Sequence, residues 1–306
     1  MAQVMLVAAF MLSSVSADLM LLSNGVGLKI QSTSGKMILY SEAKFPLQSP
    51  AATITFEALK EVDGDGNEVG KDDGNQKHAF DNFAAQDFET SNTVDVVYQG
   101  IKAVAFKFTT KITSVDATFT IQVRIFKESG SYVWGDEEIE VKQGTMKFNI
   151  LVNGWKFCGD SGASCRRNET GSHLDSKFCV QAREKGEKMS QSSGEKGPKG
   201  KDKAGRYSFG NVFVDIPIGV LKDGVDANMP SGFPKLSTNE STTCFTVRFP
   251  KFNETALFDP AVTKNVDYVP LPQPTQGVSP KTSSRSGASS IKWSVAVVLI
   301  NLVAAW

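Results

Sequence analysis

The sequence predicts an all-β protein, an antiparallel β-sandwich built as one large sandwich or two smaller ones. Three observations lead there. Short runs that alternate apolar and polar residues recur along the chain, as in Thr53-Ile-Thr-Phe-Glu-Ala-Leu59 and Thr118-Phe-Thr-Ile-Gln-Val-Arg-Ile-Phe126, the period of half-buried strands. Gly, Asn and Asp turn signals separate these runs. Between the two ends no segment keeps a 3.6-residue apolar period, and no helix–strand alternation calls for a parallel sheet.

Taken in order, the first element is apolar. Residues 1–17 hold an apolar stretch closed by small residues, with Val15 and Ala17 at the positions a signal peptidase reads. They are expected to be a cleaved signal peptide, although the stretch lacks an opening Lys or Arg; a buried N-terminal strand is the competing reading. Residues 18–263 are expected to form the extracellular β-rich domain. Its strands are read at 28–30, 37–40, 53–59, 94–98, 103–109, 118–126, 146–152, 177–183, 207–214 and 244–249, with turns at Gln99-Gly100 and 113–116. A two-domain version would divide near 154–156, because every cysteine lies beyond that point.

Residues 184–206 are rich in Lys, Gly and Ser and read as a solvated loop. Glycine stands at every third place from Gly194 to Gly200, a run too short for a collagen helix. Residues 264–290, with Pro270, Pro272 and Pro274, read as a Pro/Ser-rich stalk. Residues 291–306 are a hydrophobic tail interrupted by Asn301 and shorter than the about 20 apolar residues of a membrane span. Small residues, a polar spacer and such a tail form a glycosylphosphatidylinositol (GPI) attachment signal. Ser286 is the favoured lipidation site, since Gly287 and Ala288 follow it; Ser284 and Gly287 are alternatives. A short transmembrane segment is the rival reading.

A secretory route fixes how the cysteines are read. Cys158, Cys165, Cys179 and Cys244 are expected to form two disulfides, with three pairings open. Zinc is the rival, but the spacings are not Cys-x2-Cys. Sequons at Asn168, Asn239 and Asn253 fit the same compartment. Basic and acidic residues balance at 33 each, which gives no electrostatic ground for a nucleic-acid partner.

One acidic loop invites a metal. Asp63, Asp65 and Asn67, with Asp72 and Asp73, are candidate ligands for weakly held Ca²⁺. An EF-hand needs Gly and Glu where the chain has Glu68 and Gly74, and a strand-connecting turn explains the same residues. No other cofactor is expected. His78 and His173 sit in no nucleophile or metal motif, and no catalytic elbow or phosphate loop occurs. Glu137-Glu138 is explained by exposed strand charge, so no enzyme is predicted. Gly154-Trp155-Lys-Phe157-Cys158 is the most specific local feature, read as an aromatic packed against a disulfide.

Three stretches carry a resemblance: Lys147-Phe-Asn-Ile-Leu-Val-Asn-Gly-Trp-Lys-Phe-Cys158, Phe56-Glu-Ala-Leu-Lys-Glu-Val-Asp-Gly-Asp-Gly-Asn-Glu-Val-Gly70 and Phe258-Asp-Pro-Ala-Val262. They look like the cnidarian uncharacterised skeletal organic matrix proteins, although Lys156 stands where Pro is expected. The resemblance implies a membrane-linked extracellular protein in or near calcified matrix, and no catalytic residue. The expected function is therefore a non-enzymatic surface or matrix glycoprotein for adhesion or biomineral organisation. Its partners would be the outer membrane leaflet, matrix, mineral or surface glycans. A carbohydrate-binding protein is the second reading and a surface hydrolase the third.

Overall fold

In a computed structural model, the described residues are 18–23, 25–41, 44–46, 50–70, 77–134, 137–163, 165–166, 168–182, 190–192, 205–209, 212–239 and 241–264. They belong to the compact unit Met1–Pro270; a second unit, Leu271–Trp306, lies outside them. The strands are β1 (Leu19–Ser23), β2 (Val26–Ile30), β3 (Met37–Ser41), β4 (Ala52–Val62), β5 (Ala79–Phe80), β6 (Glu89–Thr90), β7 (Val94–Tyr98), β8 (Ile101–Ile112), β9 (Ala117–Phe126), β10 (Gly130–Trp134) and β11 (Glu137–Val141). There follow β12 (Met146–Asn153), β13 (His173–Ala182), β14 (Ser190–Ser192), β15 (Gly205–Phe209), β16 (Val212–Ile216), β17 (Gly219–Lys222), β18 (Val225–Asn228), β19 (Lys235–Asn239), β20 (Thr242–Pro250), β21 (Thr255–Phe258) and β22 (Ala261–Lys264). Among the described residues there is no α-helix; a 3₁₀ turn spans Phe83–Ala85.

All pairings are antiparallel, and the strands form two large sheets. The smaller runs β1-β2-β3-β4-β13-β20-β19, with β5 beside β4. In the larger, β12 sits centrally, flanked on one side by β9 and on the other by β21 and β22. Alternation works as the sequence requires. Met146, Phe148, Ile150 and Val152 of β12 enter the core, where Phe148 meets Phe178 of the facing sheet with ring centroids 5.9 Å apart. Phe56 of β4 likewise meets Phe119 of β9 at 5.4 Å. This one apolar cluster draws on residues from Leu28 to Val262, on both sides of 154–156. After β12 the chain crosses to β13 in the other sheet.

The predicted turn at Gln99-Gly100 joins β7 to β8 with both residues at positive φ (47° and 89°), as a two-residue hairpin demands. The segment 207–214, expected as one strand, is instead two: β15 and β16 pair antiparallel, closing at Phe209↔Val212. Its Gly-Asn dipeptide is a hairpin signal that the continuous aromatic and Val pattern masked. The β10–β11 hairpin, absent from the sequence expectation, forms a third layer with its own apolar cluster, in which Tyr132 and Val141 pack on Ile101, Ala103 and Phe126. Gln99 docks it: the Gln99 amide donates to the Val133 carbonyl at 2.9 Å and accepts from the Val133 N–H at 2.8 Å.

The cysteines pair as Cys158–Cys165 and Cys179–Cys244, leaving none free. Cys179 and Cys244 stand directly opposite each other across β13 and β20, and their bond closes a separation of 65 residues. Removing that bond by Cys179→Ala with Cys244→Ala is expected to cost about 2–4 kcal/mol. Urea unfolding under non-reducing conditions measures it, and an unchanged midpoint would show that the bond adds nothing to the fold.

Candidate functional site

Two buried polar clusters stand out against the apolar interior. The first is centred on Glu61, near the end of β4, whose side chain is fully buried. Trp155 donates its indole N–H to Glu61 Oε2 at 2.8 Å, and the Cys158 backbone N–H donates to Oε1 at 2.7 Å. His78 Nδ1 lies 2.7 Å from Oε2, a hydrogen bond that requires its proton on Nδ1. The imidazole also leans on the Trp155 ring, centroids 5.4 Å apart. A desolvated carboxylate is tolerated only when its lone pairs are met in this way. Gly171 makes the space: a Cβ there would fall 1.7 Å from Glu61 Oε1.

The second cluster lies on the opposite face of the larger sheet, under the β10–β11 hairpin. Lys147 of β12 and Asp259, between β21 and β22, form an ion pair with both side chains fully buried. Three rings enclose the ammonium: Tyr132 at 3.8 Å from Nζ, Tyr98 at 4.5 Å and Trp134 at 5.1 Å. These are cation–π distances. The Tyr98 hydroxyl also accepts from Nζ at 3.0 Å. Burial is the dominant influence on Asp259 and pushes its carboxyl up to about 7, against the opposing pull of Lys147 and Arg124. The same burial brings Lys147 down to about 8, against the attraction of Asp259. Asp259 Oδ1, Asn149 Oδ1 and the Tyr132 hydroxyl are buried without a hydrogen-bond partner among the described residues.

The sequence-predicted residues fall elsewhere. Asp63 and Asn67 come together, but as a turn: Asp63 Oδ1 accepts from the backbone N–H groups of Asp65 (2.9 Å) and Asn67 (2.8 Å), and Oδ2 from Asn67 Nδ2 (3.2 Å). These donors, Asn67 foremost, hold the Asp63 carboxyl below its ordinary value. These contacts are those of a strand-connecting turn, the other reading of the same residues. Asp72 and Asp73 lie outside the described residues, as do the signal segment, Ser284, Ser286, Gly287 and the tail. His78 stands within 4.8 Å of the Cys158 and Cys165 sulfurs, but those sulfurs are bonded to each other and offer no thiolate to a metal. Asn168, Asn239 and Asn253 are all exposed.

Sequence reasoning read Trp155 as core, and it is buried; it missed the acceptor for its N–H. Glu61 and Lys147 sit in strand patterns that a solvent-facing polar residue also satisfies, Asp259 sits in a connection where exposed carboxylates are common, and His78 lies in no catalytic or metal motif. Two outcomes test the clusters. Glu61→Gln places an amide N–H₂ against the inward-pointing donors, and is expected to cost on the order of 2–3 kcal/mol, read by urea unfolding. Lys147→Met leaves Asp259 buried without a counter-ion, for an expected loss of about 3–5 kcal/mol. A carboxyl raised in the fold stabilises below its unfolded value of 3.8 and loses that contribution as pH climbs through the raised one. The deficit of Lys147→Met against the parent should therefore be larger at about pH 8 than at about pH 5; a pH-independent deficit would contradict a charged Asp259 as its cause.

Residues 47–304 match the acidic skeletal organic matrix protein family. A curated relative, uncharacterized skeletal organic matrix protein 4 of Acropora millepora, is 43% identical over 60 residues, 18% of this chain. That alignment spans 29% of the relative's length. Among solved structures, the alpha-N-acetylgalactosaminidase NagBb from Bifidobacterium bifidum, in its GalNAc complex, aligns with a TM-score of 0.36 at 9% identity, covering 80% of this chain and 36% of that one. A likeness that distant carries no functional argument. The match across residues 47–304, in a disulfide-bonded all-β chain, places this protein in the acidic skeletal organic matrix protein family.

Proposed function

We propose that this protein is a non-enzymatic glycoprotein of the extracellular matrix, displayed on the outer face of the cell membrane by a GPI anchor, where it organises skeletal material by adhesion. The observation that carries the reading is the family match over residues 47–304. That match runs through the Pro/Ser stalk and into the apolar tail. Two disulfides and three exposed sequon asparagines fit an oxidising, glycosylating route. The Glu61–His78 pair, the most enzyme-like constellation among the described residues, is buried with its oxygens committed to fixed donors, and it presents nothing to a substrate.

Despite the family's description, this chain balances 33 basic against 33 acidic residues. Bulk attraction to a cationic mineral face is therefore not its means of contact, and adhesion rests on local surfaces and on glycans. The carbohydrate-binding reading needs an aromatic ring open for stacking. Every Phe, Tyr and Trp whose exposure is described is at least partly buried, so no observation favours it.

The anchor is tested by treating intact cells with a phosphatidylinositol-specific phospholipase, using the full chain tagged after Ala17. Release into the medium is the expected result. Retention in the membrane, with a known anchored protein released in parallel, would point to the transmembrane alternative; spontaneous appearance in the medium would make the protein a soluble matrix component.

A further inference from the structure

The enclosed Lys147–Asp259 pair has the makings of a covalent bond. Lys147 lies on β12, and Asp259 at the junction where β21 gives way to β22 along the same edge of β12. The ladder pairs Ile150 with Phe258 and Lys147 with Ala261, so Asp259 faces the Lys147 side of the sheet, one diagonal step away. Pro260, with no N–H, interrupts the strand there, while its carbonyl still accepts from the Phe148 N–H at 3.0 Å. The backbone thus holds both side chains in contact from two fixed points.

We propose that Lys147 and Asp259 are joined by an intramolecular amide bond, formed by condensation of the Lys147 amine with the Asp259 carboxyl and release of one water. The Nζ lone pair attacks Cγ, and the C–N bond forms as one C–O bond breaks. Starting from the ion pair, two of the three ammonium hydrogens leave with one carboxylate oxygen as water, and the third remains on the amide nitrogen. No electron is transferred and no co-reactant is required.

Three features of the site support the step. Both side chains are fully buried, so reactants fixed in contact gain an effective molarity on the order of 10⁵–10⁸ M, and the water that would reverse the reaction is excluded. Burial moves both partners toward the neutral forms that condensation uses, the amine down and the carboxyl up. The product also relieves the site: two desolvated charges become one neutral amide. Its N–H occupies the position from which Nζ now reaches the Tyr98 hydroxyl at 3.0 Å. Unlike the disulfides, such a link survives a reducing environment.

The test is peptide mapping of the full chain, secreted from eukaryotic cells, deglycosylated, reduced and digested with trypsin. The expected result is a single branched species joining the peptides that carry Lys147 and Asp259, one water lighter than their sum, with no cleavage after Lys147. In Lys147→Arg the branched species should vanish and the Asp259 peptide should appear unmodified. Recovery of both peptides separate and unmodified, from a preparation whose two disulfides are formed, would overturn the proposal. Water loss that persists in Lys147→Arg would overturn it equally, by placing the modification elsewhere.

Discussion

The carboxylate of Glu61 is the tie on which the sandwich's arrangement depends. It stands on a strand of the smaller sheet, yet two of its donors, the Trp155 indole and the Cys158 amide, belong to the segment that leaves the larger one. Apolar packing between two sheets is non-directional and tolerates sliding. A buried carboxylate does not, because each donor must reach its lone pair or leave a desolvated group unmatched. The Cys158–Cys165 bond restrains the same segment, and Gly171 keeps its backbone close enough for the carboxylate to fit. Register between the sheets is therefore specified by polar geometry laid over an apolar core.

The opposite face of the larger sheet is built on different logic. There the outward Lys147 of β12 would meet water in a two-layer sandwich; Tyr132 and Trp134 of the β10–β11 hairpin cover it instead. The three stretches that carry the family resemblance supply the central residues of both clusters: Glu61 with Trp155 and Cys158 in one, Lys147 with Asp259 in the other. Motifs that look like strands with an aromatic flourish prove to be the contributors of buried charge.

Legibility followed the range of the interactions. The strands at 53–59, 103–109, 118–126 and 146–152 were readable because alternation is local, and the Gln99-Gly100 turn because its dipeptide demands positive φ. The disulfides were readable as a class and not as pairs, since pairing is a matter of topology. The β10–β11 hairpin escaped because each strand is only five residues long and Gly130-Ser-Tyr-Val-Trp134 places Tyr, Val and Trp in succession without alternation, and that omission hid the second cluster. Lys147 looks exposed in Met-Lys-Phe-Asn-Ile until the hairpin Gly130–Val141, upstream in the chain, folds over it. Glu61 and His78 could be found only by asking what Trp155, read as core, does with its N–H.

The open edge of the smaller sheet carries a further consequence. β19 is its last strand, all five residues exposed, and a bare strand edge is a template on which another chain's strand can be added. Here the strand begins at Lys235 and ends at the sequon residue Asn239. A charged ammonium at one end and a bulky hydrated oligosaccharide at the other would fence this rim against sheet-to-sheet growth. Crowded copies of the protein could then stand side by side in a matrix without polymerising into fibrils along it.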